Sequence, residues 1–166
     1  MDRIKLSSSE KRLAITSGSL LVLSSIPAWA TFPVGEALWS VYGDESVTAW
    51  DGSFSFLTTG LALLMTLAIF ISLIAKAVGK FDDSKSAEAV ALGYVAAAVV
   101  AVLGMLGAVV LGPGESTWAL GVQGERGPLL FVGFALALFM AAMALRHLGE
   151  VSSKVSSSAA AHPKAT

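Results

Sequence analysis

The sequence predicts an all-α membrane protein, a small polytopic bundle of four transmembrane helices, and three observations lead there. The first is a set of three runs without Asp, Glu, Lys, Arg or His: Phe54–Ala75, Ala89–Gly112 and Pro128–Leu145. A bilayer core of ~30 Å takes ~20 helical residues, so each run is long enough or nearly so. The second is composition: 55% of residues are hydrophobic and 14% charged, against ~45–50% and ~25% in average proteins. The third is that Lys and Arg cluster in alternate connections. Transmembrane strands do not fit, because the runs lack apolar–polar alternation and a barrel needs more segments than the chain holds. A soluble bundle does not fit either, because its helices keep a polar face.

Segment one, about 13–31, is the least apolar, with Thr16, Ser17, Gly18, Ser19, Ser24 and Ser25 inside it. It also reads as a signal peptide: Lys11 and Arg12 precede a modest apolar stretch, and Ala28-Trp29-Ala30 after Pro27 has the A-x-A form of a cleavage site. Asp2 and Glu10 in the leading region are features that signal peptides avoid. Both readings stay open on sequence alone, with retention of the segment the one expected; cleavage after Ala30 leaves three helices and an outside N-terminus. Beyond it, Val34, Ala37, Leu38 and Val41 recur at helical spacing and predict an interfacial helix over 34–42.

Segment two, about 54–76, carries bulky Leu, Ile, Phe and Met over much of its surface, so more of it than of segments three and four is expected to face lipid. Segment three, about 88–112, starts after Asp82, Asp83 and Ser84, which suit a positive helix terminus. Along it, Ala89, Gly93, Ala97, Ala101, Gly104, Ala108 and Gly112 form a strip of small residues. Such strips let membrane helices approach closely, since lipid supplies no hydrophobic drive between them. Segment four, about 128–147, opens on Pro128, where a missing N–H costs nothing, and repeats the pattern with Gly133, Ala137 and Ala141. Segments three and four are therefore expected to form the packed centre of a single domain over 1–149. Residues 150–166, poor in bulky side chains, read as a flexible tail.

Sidedness follows from the basic residues. Ten of the eleven Lys and Arg fall in the N-terminal region, the connection after segment two and the C-terminal region; Arg126 is the exception. By the positive-inside rule both termini are cytoplasmic. Trp29, Trp39, Tyr42, Trp50 and Trp118 all fall on the other side, where such rings anchor at headgroup level. Lys76 and Arg146 end their segments and are expected to snorkel outward.

No constellation specifies a reaction. There is no Cys, and the two His are His147 at the inner edge and His162 in the tail, both read as interfacial or solvated. "GPGES" lacks the phosphate-loop pattern and "YGDESVTAWDGS" lacks EF-hand spacing. No catalytic, cofactor or metal-binding residue is expected, and a net charge of −1 gives no reason to expect nucleic acid. Ionisable groups are missing from the three runs, which argues against a pump. The expected function is a non-catalytic subunit or scaffold whose partners are the bilayer and a membrane protein or further copies of itself. An oligomeric channel for a small neutral solute, lined by Thr58, Thr59, Thr66 and Ser72, is the alternative. Those residues do not share one helical face. An enzyme using Glu36, Asp44, Glu45 or Asp51 is the least supported reading.

Overall fold

The computed structural model describes residues 6–32, 45–51, 53–80, 86–114 and 123–161. Helix α1 covers Ser8–Ser24 and starts earlier than its apolar stretch because Ser7 and Glu10 form a capping box. The Glu10 N–H donates to Ser7 Oγ at 3.2 Å, and the Ser7 N–H donates to Glu10 Oε2 at 2.7 Å. The helix stops at Ser24, so Pro27 lies beyond it and the helical part of the first segment is shorter than the expected 13–31.

A π-helical turn at Phe56–Gly60 leads into α2, Leu61–Ala77. Helix α3 covers Ala87–Leu111 and α4 covers Pro128–Ala161. The extent of α4 departs from the flexible tail expected after residue 150. From Glu150 to Ala161 the chain has no Gly or Pro, and Ser153, Ser156 and Ser157 hydroxyls donate back to carbonyls three or four residues earlier. Three helical stretches are long and apolar enough to cross a membrane: Phe56–Ala77, Ala87–Leu111 and Pro128–Ser157. Helix α1, at 17 residues, is not among them.

Each helix packs on two others, α1 on α2 and α4, and α3 on α2 and α4, with the α3–α4 contact the most extensive. The start of α1 meets the end of α2 and the later half of α4 through Glu10–Lys76 and Ser9–His147. Tyr94 near the start of α3 meets Ser72 near the end of α2. Neighbours are therefore antiparallel, as in an up-down bundle. Segments three and four are sides of this ring, not a centre that the others surround. Segment two is not the more exposed one: Ala62, Leu63, Thr66, Ile69 and Leu73 are buried, and a larger share of it is covered than of the other two long spans.

The departure from an all-helical chain is a small sheet at the end of the bundle opposite Glu10. Strands β1 (Ala30–Phe32), β2 (Glu45–Val47) and β3 (Glu125–Arg126) lie in the order β2-β1-β3, both pairs antiparallel. Ala30 pairs with Val47 and with Arg126. Strands of two or three residues are too short to show a period of two, which is why the sequence carries no sign of them. The expected interfacial helix over 34–42 lies outside the described residues.

Candidate functional site

Among the described residues, two places gather polar groups, one at each end of the bundle. At the end where α1 begins, Glu10, Lys76 and His147 converge from three helices and are all buried. Lys76 Nζ donates to Glu10 Oε1 at 2.5 Å, and His147 Nε2 lies 3.7 Å from the same oxygen. Ser9 Oγ donates to Glu150 Oε2 at 2.7 Å and lies 3.2 Å from His147 Nδ1. Glu150 also meets Arg146, one helical turn before it, on the exposed side of α4. One layer deeper, the Tyr94 ring centroid is 6.0 Å from that of His147, and the Tyr94 hydroxyl shares a 2.8 Å hydrogen bond with Ser72.

The cost of burying the Glu10 carboxylate is offset by the Lys76 ammonium and the Ser7 N–H, each bonded to one of its oxygens. This cluster is absent from the sequence-level reading. Lys76 does not snorkel, and His147 is not solvated: Lys76 bonds to Glu10, and His147 is hydrogen-bonded with Ser9 beside the same carboxylate. The local signal for Glu10 is its spacing of three from Ser7, which sets the side chain at the helix start but not what packs on it. Among the described residues, no group of three or more His, Asp and Glu could hold a metal ion.

No family model, curated protein or solved structure matches this chain. The site is therefore read from its own geometry.

At the opposite end Trp29 is fully buried. Its indole N–H donates to the Leu23 carbonyl at 2.8 Å, closing the end of α1. Its ring lies on Gly133, where any Cβ would collide with it. Trp29 is thus a core residue, not the interfacial anchor expected from its position; the Gly133 gap is what admits so large a ring. Trp50 is 46% exposed and donates its indole N–H to Ser24 Oγ at 2.8 Å. Trp39, Tyr42 and Trp118 lie outside the described residues.

The strip of small residues is divided by the structure. Ala101, Gly104 and Ala108 are buried, Ala97 and Gly112 are half-buried, and Ala89 and Gly93 are exposed. A step of four advances 40° beyond a full turn at ~100° per residue, so Ala89 and Ala101 stand about 120° apart. The buried face of early α3 instead runs Ala91, Tyr94, Ala98, Ala101. At Gly104 a Cβ would come 2.5 Å from the Thr58 carbonyl oxygen, so this glycine admits the π turn. In α4, Gly133 and Ala137 are buried and Ala141 half-buried, on a face completed by Leu130, Met140, Ala144 and His147.

Arg126, the one basic residue expected outside, closes α3. Its Nε donates to the Val109 carbonyl at 2.6 Å and its Nη2 to the Val110 carbonyl at 2.8 Å. These are carbonyls that a helix end leaves without intrahelical partners.

Proposed function

We propose that this chain is a non-catalytic, multi-pass integral membrane protein, a four-helix subunit or scaffold that packs against other membrane helices. One observation carries the reading: polarity is inverted across the bundle. An ion pair, an imidazole and the hydroxyls of Thr16, Ser17 and Thr66 are buried, while Leu92, Leu103, Val110, Phe131, Phe139 and Leu145 are exposed. Even α1, whose mean hydropathy is low, turns Ser17 and Ser24 inward and Ile15 and Val22 outward. Water would favour the reverse arrangement; hydrocarbon favours this one, because every polar group must find an internal partner there. The Thr16, Ser17 and Thr66 hydroxyls do so on carbonyls four residues earlier in their own helices.

The same contacts support keeping α1 as a fourth membrane element. Glu10 compensates Lys76, and Ala28-Trp29-Ala30 is bound into the sheet, where the Ala28 and Trp29 N–H groups both donate to the Val47 carbonyl. Loss of residues 1–30 would leave Lys76 without its buried carboxylate and Gly133 facing a void. With the basic residues inside, both termini are cytoplasmic and the sheet lies outside.

The alternative, an oligomeric channel, draws no support from three of the four hydroxyls named for it. Thr58 donates to Ser55, Thr66 to Ala62, and Ser72 is engaged with Tyr94. The test is purification from membranes in mild detergent, with intact mass measured first. A mass that includes residues 1–30, and co-migration with a second membrane protein or with copies of the chain, are the expected results. A chain monodisperse in detergent-free buffer refutes the membrane reading, and a homo-oligomer that conducts solute in liposomes replaces the scaffold reading with transport.

A further inference from the structure

Beside Trp50 the surface opens into an apolar groove of about 300 Å³, lined by Ala49, Trp50, Phe54, Phe56, Thr59, Gly60 and Leu64. An apolar cavity of ~150 Å³ already accepts benzene, so the volume suits a hydrocarbon chain. The groove follows the π turn into α2. From Phe56 to Leu64 is eight residues, about 12 Å along a helix axis. Its floor holds Phe54 and Thr59, both buried, and its flank continues into exposed Phe56, Leu57 and Leu64. That flank is the surface that the membrane reading places against acyl chains, so the groove is continuous with lipid and not with water.

Asp51 does not line the groove but directly follows Trp50, which does, and so brings a charge close to it. Asp51, next to Trp50, is the only charged side chain described between Ser46 and Leu64. It is exposed, and its Oδ2 alone accepts from the Thr48 N–H and hydroxyl, at 2.6 and 2.9 Å. The indole N–H of Trp50 is already used on Ser24, which fixes the ring while almost half of its surface stays open. A fixed aromatic face beside a carboxylate attracts an ammonium group and repels an anion.

We propose that the groove binds one phospholipid with an ammonium headgroup, its acyl chain along Phe54 and Leu64 and its ammonium at Trp50 and Asp51. The proposal rests on the membrane reading and goes beyond it, because it separates one lipid from the bulk bilayer. It predicts a headgroup preference that a plain lipid-facing surface does not have.

Brominated lipids quench tryptophan on contact and give the test. The full chain is reconstituted into liposomes, and the Trp50 signal is taken as the difference between wild type and Trp50→Phe. Brominated phosphatidylcholine is expected to quench that signal at least twofold more than brominated phosphatidylglycerol at equal content. Asp51→Asn is expected to abolish the difference. Gly60→Leu, whose side chain presses on the Phe56 ring and fills the groove, is expected to cut quenching at least twofold. Leu64→Phe fills it from the other wall and serves where Gly60→Leu fails to fold. Equal quenching by the two lipids, or undiminished quenching in the filled variants, overturns the proposal. Flotation with the liposomes is scored first: a chain that does not float refutes the membrane reading itself, separately from the fluorescence result.

Discussion

Replacing Lys76 by Met removes the ammonium from the Glu10–Lys76 pair while keeping most of the side-chain volume. The two charged atoms lie 2.5 Å apart, with the side chains 11% and 3% exposed. At an effective dielectric of ~20 the gross attraction at that distance is about 7 kcal/mol. Desolvation of each ion costs several kcal/mol, so the pair adds little net stability, whereas breaking it on one side costs about 3–5 kcal/mol. The lower end applies here, because Glu10 keeps the Ser7 N–H and the nearby His147. We expect Lys76→Met to lower unfolding free energy by about 3 kcal/mol, and Glu10→Gln/Lys76→Met to cost less than Lys76→Met alone. Reversible unfolding in mixed micelles, followed by circular dichroism, measures both. A single-variant cost below ~1 kcal/mol, the range of exposed pairs, refutes the account of the cluster.

Other expectations follow from close approaches. Gly104→Leu should destabilise by more than ~3 kcal/mol, because its Cβ meets the Thr58 backbone, while Gly93→Leu, with nothing near its Cβ, should stay within ~0.5 kcal/mol; equal effects in the same micelle assay would remove the special role of Gly104. Trp29→Ala should cost about 3–5 kcal/mol and release the sheet from the helices, visible as faster amide exchange at Ala30–Phe32. Arg126→Ala should fray the last turn of α3 at a cost of about 1–2 kcal/mol, with faster exchange confined to that turn. Ala28, held at φ 122°, should gain stability as Ala28→Gly, by about 1 kcal/mol.

The long helices were legible because their cause is local. A run such as Ala89–Gly112 states its own solvent, and Pro128 states its own helix start. What stayed hidden depends on partners far along the chain. Trp29 reads as an anchor until Gly133, over a hundred residues later, provides a gap for its ring. His147 reads as an edge residue until α1 brings Ser9 and Glu10 beside it. The strip of small residues divides for a different reason: a spacing of four looks like one face over two turns, but drifts around the helix over three or four. Ala89 and Gly93 therefore turn away from the neighbours that bury Ala101 and Gly104.

The first segment shows how these two kinds of information combine. Its sequence is less apolar than the other three segments, and its helix is only 17 residues long. One stripe at steps of three and four, Glu10, Leu13, Ser17, Leu20 and Ser24, is buried throughout, and it carries polar residues at Glu10, Ser17 and Ser24. A helix with hydroxyls on one side and Ile15 and Val22 on the other is unsuited to water on its apolar side and to lipid on its polar side. It is suited to one place, the wall of a bundle whose interior supplies Lys76 and His147. The low average of α1 is then a consequence of where its polar groups point, and the fourth helix is as much a part of the bundle as the three that announce themselves.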